Sequence, residues 1–336
     1  MNDRKLRWGI LGAARVNERL LPAIVEASNS ELVAIASRRP GAAAETLAKY
    51  APRQPGVKTY DTLDALLDDP AVEAVYLPLA NQEHAEWALQ ALRKGKHLLC
   101  EKPMALAVED IEAIEAAARE RQLTVMEGFM YRFHPQHARA LELIRAGTLG
   151  EIRSVRATYS FTMRPARMYR IDRDAEHGGG AMWDIGCYAI HSLRMFFDDP
   201  PQAVTALAKY NEHGADTAMS GVVDFGGGRH AHFDFSFERA RRSEYEIIGA
   251  KGGVKCHTVW QLPGDVPVVS WWTEDGWNCV EQMPPANHFT LEIEHFSDCA
   301  LTGKPPALSL EDAKANCRLI VAALRSATLG RTEILA

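Results

Sequence analysis

In the first third of the chain, apolar residues fall into short unbroken runs at residues 6–11, 32–37, 74–79, 97–100 and 124–127. Between these runs, segments from about Asn17, at 41–50, at 85–94 and at 108–121 repeat their apolar residues every three or four positions. Unbroken apolar strands alternating with helices predict a parallel sheet covered on both faces. Beyond about Met126 the pattern changes. A helix over 136–146, closed by Gly147, is followed by alternating segments at 152–162, 203–210, 218–225, 231–237, 243–249 and 253–259, with turns and no long helix between them. Alternation joined by turns predicts a mostly antiparallel sheet. A last helical pattern covers 310–329 and stops at Gly330. The expected architecture is an α/β domain with a doubly wound parallel sheet over residues 1–125. An α+β domain with a large, open, mostly antiparallel sheet follows over 126–336, its last helix able to pack back on the first.

Composition narrows the function classes without choosing one. A length of 336 residues fits two domains, and 47% hydrophobic with 24% charged residues is ordinary globular usage. Lys+Arg 38 against Asp+Glu 44 leaves −6, which argues against nucleic acid or anionic membrane surfaces as partners. Six cysteines are scattered with no C-x-x-C pair and no Cys/His cluster at zinc spacing, so no metal is expected and a reduced, cytoplasmic setting is. No leader pattern opens the chain, and no stretch is apolar over the 18 or so residues of a membrane span.

The first apolar run ends in Gly12-Ala13-Ala14-Arg15-Val16-Asn17 and then a helix. A strand breaking into small residues ahead of a helix lets backbone N–H groups face a pyrophosphate, as in a Rossmann domain. Of the glycines in G-x-G-x-x-G only Gly12 is present, with Ala14 and Asn17 at the later positions. At the end of the second strand, an NAD enzyme carries Asp or Glu for the ribose 2′-OH. Here Ser37-Arg38-Arg39 stands instead. A hydroxyl and guanidinium groups suit a 2′-phosphate, so NADP is the expected cofactor.

Two further segments carry chemistry. Glu101-Lys102-Pro103 brings a charged pair to the carboxyl end of a parallel strand, the edge where ligands bind in such sheets. After Gly178-Gly179-Gly180, helical spacing would put Asp184, Tyr188 and His191 on one face. Arg164, Arg167, Arg170 and Arg173 recur every third residue before the glycines, a run that could line a polyol or anionic-sugar pocket or form a solvated face. Asn81 and His84, just after the strand that ends near Leu79, are expected on the nicotinamide side. Tyr131 and Arg132 are expected to border the nicotinamide, and Tyr60 to lie near the adenine.

Together, GILGAAR, the Ser-Arg-Arg strand end, Pro78-Leu79-Ala80-Asn81-Gln82-Glu83-His84, Gly95-Lys96-His97-Leu98-Leu99-Cys100-Glu101-Lys102-Pro103 and Asp184-x-x-x-Tyr188 resemble the glucose-fructose oxidoreductase / inositol dehydrogenase (Gfo/Idh/MocA) family. The resemblance covers nearly the whole chain. Tyr188, where inositol dehydrogenases carry histidine, and the run from Glu127 to Pro135 are similar to the branch of aldose-aldose oxidoreductases, xylose dehydrogenases and dihydrodiol dehydrogenases. The departures are Ala14, Asn17, and His191 where several relatives carry an amide.

The resemblance implies hydride transfer between a nicotinamide and a hydroxyl-bearing carbon of an aldose, polyol or cyclic diol. It implies Gly12, Ala13, Ala14, Arg15, Val16, Ser37, Arg38, Arg39, Tyr60, Leu79, Asn81, His84, Glu101, Lys102 and Arg132 on the cofactor. Lys102, Tyr131, Arg170, Asp184, Tyr188 and His191 would hold the substrate, and Lys102, Tyr188 and Asp184 would carry the catalysis. The chemistry is coherent: a tyrosine of pKa about 10 is a weak base at neutral pH, and a nearby ammonium favours its phenolate. Family likeness also implies a cis Lys102-Pro103 bond and a homodimer or homotetramer built on the open sheet face. The alternatives are an aldose-aldose oxidoreductase that retains its NADP(H), and a non-catalytic binder of NADP and sugar.

Overall fold

The computed structural model describes residues 4–260 and 266–335. Its first sheet contains β1 (Leu6–Leu11), β2 (Ser30–Ala36), β3 (Lys58–Tyr60), β4 (Ala74–Leu77), β5 (His97–Glu101) and β6 (Val125–Gly128). All pairings are parallel, in the order β3-β2-β1-β4-β5-β6. That is the doubly wound order, with its topological switch between β1 and β4. The helices α1 (Asn17–Glu26), α2 (Ala42–Tyr50), α3 (Leu63–Leu67), α4 (His84–Arg93) and α5 (Val108–Arg121) connect the strands. Central strands are apolar throughout because both their faces are covered: Trp8, Ile10, Val75, Tyr76 and Leu98 are completely buried. β3 was not legible as an apolar run, since its three residues Lys-Thr-Tyr sit at the sheet edge and are largely exposed.

Then follow α6 (Pro135–Arg145) and β7 (Ile152–Ser160), and after a π turn (Met182–Gly186) comes α7 (Cys187–Arg194). The second sheet is completed by β8 (Ala203–Tyr210), β9 (Asp216–Asp224), β10 (His230–Ser236), β11 (Arg242–Gly249), β12 (Gly252–Cys256), β13 (Val268–Thr273) and β14 (Asn278–Gln282). The chain ends with α8 (His288–Thr302), α9 (Leu310–Leu329) and the short β15 (Glu333–Ile334). The nine strands run β14-β13-β12-β11-β7-β10-β9-β8-β15, and only β7 and β10 are parallel neighbours. Val155, Ala157, Phe233, Phe235, Tyr245 and Ile247 point to the buried face, onto which α7 packs over β7 and β10 and α6 over β12 and β13. Side chains of opposite parity form the open face.

Two compact units result, one of residues 4–133 with Asn287–Lys314 and the other of His134–Ala286 with residues 315–335. The change of pattern near residue 125 therefore lies a few residues ahead of the division after Phe133, and α8 returns to the first unit. Ser297 on α8 accepts the Trp8 indole N–H at 3.1 Å, a buried tie between residues 289 apart in sequence. The last helix is split by the division, between Lys314 and Ala315. Among the described residues no helix is long and apolar enough to cross a membrane, no group of His, Cys, Asp and Glu could hold a metal, and no disulfide forms.

Candidate active site

At the switch point, Gly12 leaves β1 with φ +139, and a Cβ on it would lie 3.0 Å from Leu79 Cδ2 in the segment after β4. Only glycine fits that approach. Asn17, at the position of the last fingerprint glycine, is fully buried, and its amide Nδ2 donates to Gly12 O at 2.9 Å. The substitution thus holds the turn closed. Ala13, Ala14 and Val16 are half-buried and Arg15 is exposed, leaving a surface of small residues and backbone.

The Ser37-Arg38-Arg39 strand end is differentiated. Ser37 is buried and its Oγ accepts the Arg39 N–H at 3.1 Å, while Arg39 Nη2 donates to Ala13 O at 3.2 Å, on the Gly12 turn. Arg38 instead pairs with Glu83 at 2.6 Å, which raises its pKa. The two arginines are not equivalent, although sequence alone treats them alike. The Tyr60 hydroxyl donates to Asp69 at 2.8 Å beside Lys58. Burial opposes the charge on Asp69, but the Ala71 N–H, Lys58 and Tyr60 hold its pKa down at about 2. Tyr60 thus belongs to a polar cluster at the sheet edge.

Lys102 follows β5, half-buried, and the Lys102-Pro103 bond is cis. Its turn is tied down from several sides. His84 Nδ1 lies 2.7 Å from Pro103 O and Nε2 3.1 Å from Leu79 O, with the ring buried. Burial, with a smaller push from the Lys102 charge, lowers its pKa, and a neutral ring can donate to only one of those carbonyls. His84 thus ties the turn after β5 to the segment after β4. Asn81 is half-buried and opens the short 3₁₀ turn ahead of α4. Glu101 accepts from the Tyr76 hydroxyl, and its Oε2 takes the Lys102 N–H at 3.2 Å. Glu127 accepts the Met104 N–H at 2.8 Å.

Sequence reasoning missed Glu292. It is completely buried on α8, and neither of its carboxyl oxygens has a hydrogen-bond partner among the described residues. Burial, reinforced by the charge of Glu101, drives its pKa well above the carboxylate range. No local pattern marks it, because α8 lies almost 200 residues beyond β5. Tyr131 is fully buried with its ring edge-on to Phe129 at 6.1 Å, whereas Arg132 is half-buried.

In the second unit, Asp184, Tyr188 and His191 do share one helical segment. Its first turn is π rather than α, a form that is rare and recurs at functional sites. Burial increases along it: Asp184 is half-buried, Tyr188 is 7% exposed and His191 1%. Arg170, at the end of a 3₁₀ turn (Pro165–Arg170), forms an ion pair with Asp184, whose charge raises the pKa of the guanidinium. Arg167 instead lies over the Phe161 ring. Behind Tyr188 stands an aromatic wall. Tyr159 meets its ring edge-on at 5.9 Å and Trp260 tilts against it at 6.4 Å, while those two stack at 4.9 Å. Trp260 is buried here.

Comparison with known proteins gives this geometry its context. Residues 6–129 match the GFO/IDH/MocA oxidoreductase family with its NAD-binding Rossmann fold, and residues 137–255 match the GFO/IDH/MocA C-terminal domain. The chain belongs to the GFO/IDH/MocA oxidoreductase family. A D-xylose 1-dehydrogenase (NADP(+)) of Haloferax volcanii is 33% identical over 97% of this chain and 98% of its own. A 3-ketoreductase of Actinomadura kijaniata, crystallised with NADP and TDP-benzene, superposes with a TM-score of 0.88 at 32% identity, covering 96% of this chain and 98% of that one. An aldose-aldose oxidoreductase of Caulobacter crescentus, complexed with glycerol, reaches a TM-score of 0.88 at 29% identity, covering 99% and 100%.

As a GFO/IDH/MocA oxidoreductase, the chain has a first unit suited to a dinucleotide. A Cβ-free turn at the switch point, bare backbone over Ala13 and Ala14, and a buried Asn17 Oδ1 without a partner among the described residues all fit that group. Tyr159 and Trp260 are the other residues that sequence reasoning missed.

Proposed function

We propose that this GFO/IDH/MocA oxidoreductase is NADP(H)-dependent and acts on a carbinol or carbonyl carbon of an aldose, polyol or cyclic diol. The carrying observation is a lysine and a tyrosine at the family's motif positions, each fixed by its own surroundings: Lys102 on a cis turn clamped by His84, and Tyr188 against Tyr159 and Trp260. Bound NADP(H) would supply or take up the hydride. Gly12, Ala13, Ala14, Arg15, Val16 and Leu79 would hold its pyrophosphate half, and Ser37, Arg39 and Arg38 its 2′-phosphate. Asn81, Glu101 and Arg132 would lie toward the nicotinamide. The strand-end arginines favour NADP over NAD, as do the NADP-linked names of the xylose dehydrogenase and the ketoreductase.

Tyr188 would move the hydroxyl proton, and the Lys102 ammonium would favour its phenolate and stabilise negative charge on the reacting oxygen. Asp184, oriented by Arg170, would accept hydrogen bonds from substrate hydroxyls, with His191 deeper along the same face. The first unit then serves as the nucleotide domain and the second as the substrate domain, in a cytoplasmic homo-oligomer. Purified protein incubated with NADP and a panel of aldoses, polyols and cyclic diols should develop reduced-nicotinamide absorbance. Tyr188→Phe should lower turnover about 10²-fold or more while NADP affinity stays within twofold. Unchanged turnover in that variant would remove Tyr188 from the mechanism, and silence across the panel would remove the activity. The likeness to an aldose-aldose oxidoreductase supports a second reading, in which one sugar is oxidised and another reduced on retained cofactor. Nicotinamide that co-elutes with protein through gel filtration and is reduced by added glucose would select it.

A further inference from the structure

The helix that carries Asp184 and Tyr188 has no cap of its own. Ala181, ahead of it, is already in right-handed helical conformation and offers no side-chain acceptor. The first N–H groups of a helix need acceptors from elsewhere. Here one comes from the sheet: Asp216, the first residue of β9 and completely buried, accepts the Met182 N–H through Oδ2 at 2.7 Å.

The surrounding chain is shaped to admit that carboxylate. Gly180 has φ +98, and a Cβ on it would fall 2.1 Å from Asp216 Oδ1, so a side chain there would push the carboxylate off the helix end. Gly179 is equally confined, its missing Cβ lying 1.9 Å from Arg173 O. The Gly180 N–H donates to Arg170 O at 3.0 Å, so one junction anchors both the site helix and the segment whose guanidinium pairs with Asp184. Of the three glycines, Gly180 is explained by close packing against Asp216, Gly179 by the approach of the Arg173 carbonyl, and Gly178 by its φ of +75 at the end of a 3₁₀ turn.

Packing alone does not call for an acid at this position. Asp216 Oδ1 has no partner among the described residues, and burial lifts the carboxyl to about 7 even though backbone N–H groups favour its charge. An ionisable group kept buried and half satisfied is unfavourable, and such violations of local rules concentrate at functional sites. Asp184 lies two residues beyond the anchored Met182 and Tyr188 six, both within the next two turns.

We infer that Asp216 is a positioning residue for the active-site helix, its carboxylate fixing the first turn and thereby the placement of Asp184 and Tyr188. The inference rests on the function proposed above for those two residues. Three variants test it: Asp216→Ala removes the acceptor, Asp216→Asn keeps one, and Gly180→Ala displaces the carboxylate while leaving Asp216 itself unchanged. Kinetics are read well below each melting temperature, together with hydrogen exchange of the peptide over residues 181–188. Asp216→Ala and Gly180→Ala should lower kcat roughly 10- to 100-fold with the KM for NADP within twofold, because a misplacement of about 1 Å can cost that much. Asp216→Asn should recover to within about threefold of the parent. Exchange over 181–188 should accelerate in the first two variants and not in the third. Parental kcat in both Asp216→Ala and Gly180→Ala, or no recovery in Asp216→Asn, overturns the inference, as does a fall in melting temperature with kcat intact. If the parent protein turns over no sugar or diol, the proposed function fails. The exchange arm then decides alone, and unaltered exchange over 181–188 in Asp216→Ala refutes the anchor itself.

Discussion

Arg38 and Arg39 are adjacent, identical in type and opposite in circumstance. Glu83 occupies Arg38, whereas Arg39 spans from the second strand end to the Ala13 carbonyl on the dinucleotide turn. A guanidinium has five donors, so Arg38 retains capacity, but its charge is already partly compensated. Arg39→Ala should therefore raise the KM for NADP about 10- to 100-fold, the scale of one lost charge-assisted contact, and change the KM for NAD less than about threefold. Equal increases for the two cofactors in steady-state kinetics would show that Arg39 does not read the 2′-phosphate. The pair's place at a strand end was legible from residue order. Which arginine is available was not, because Glu83 lies more than 40 residues away.

Among the elements, helix ends show the same mixture. The turn into α1 was legible from Gly12, but the role of Asn17 needed the fold, since its amide folds back onto Gly12 O. The site helix was legible as a 184/188/191 stripe, while its π first turn and the Asp216 acceptor on β9 are features that helical periodicity cannot report. At α6, His134 is the cap: its Nδ1 accepts the Gln136 N–H at 3.2 Å, which requires the neutral ring. Burial lowers its pKa to about 4. The folded state therefore prefers the uncharged form, and the resulting stability is present above the unfolded value near 6.5 and is lost as pH falls toward 4. Between pH 7 and 5 this one group should remove on the order of 2 kcal/mol. His134→Asn, which caps without titrating, should show a correspondingly shallower loss of melting temperature over that interval. Parallel curves for parent and variant would show that His134 does not drive it.

Across the whole molecule, the open face of the nine-stranded sheet is the largest feature that the site does not use. One row across it reads Thr205, Val222, His232, Arg156, Glu246, Lys255, Ser270 and Val280 in register, mixing charges of both signs with exposed valines. A two-fold pairing of such a row can match its own charges, as a symmetric interface requires. Light scattering on the parent should give a multiple of the 37.2 kDa chain mass, and Val222→Asp with Val280→Asp should reduce it to one. A parent that already runs at one chain mass would rule out assembly through this face. The net charge of −6 belongs to this scale too: it disfavours polyanions in general, while Arg39 and Arg38 supply positive charge at one strand end.

Residue order alone determined the alternation of strands and helices, the change to an antiparallel sheet, the small-residue turn at Gly12 and the motif positions of Lys102 and Tyr188. Each of these depends on neighbours within a few residues, where periodicity and backbone sterics act. Tertiary structure decided the rest. It set Glu83 on Arg38, Asp69 on Tyr60, His84 under Pro103, Glu292 beside Glu101, and Asp216 at the head of the site helix. Those pairings join segments distant in sequence, and burial, which shifts the pKa of His84 down and of Glu292 and Asp216 up, exists only once those segments have packed.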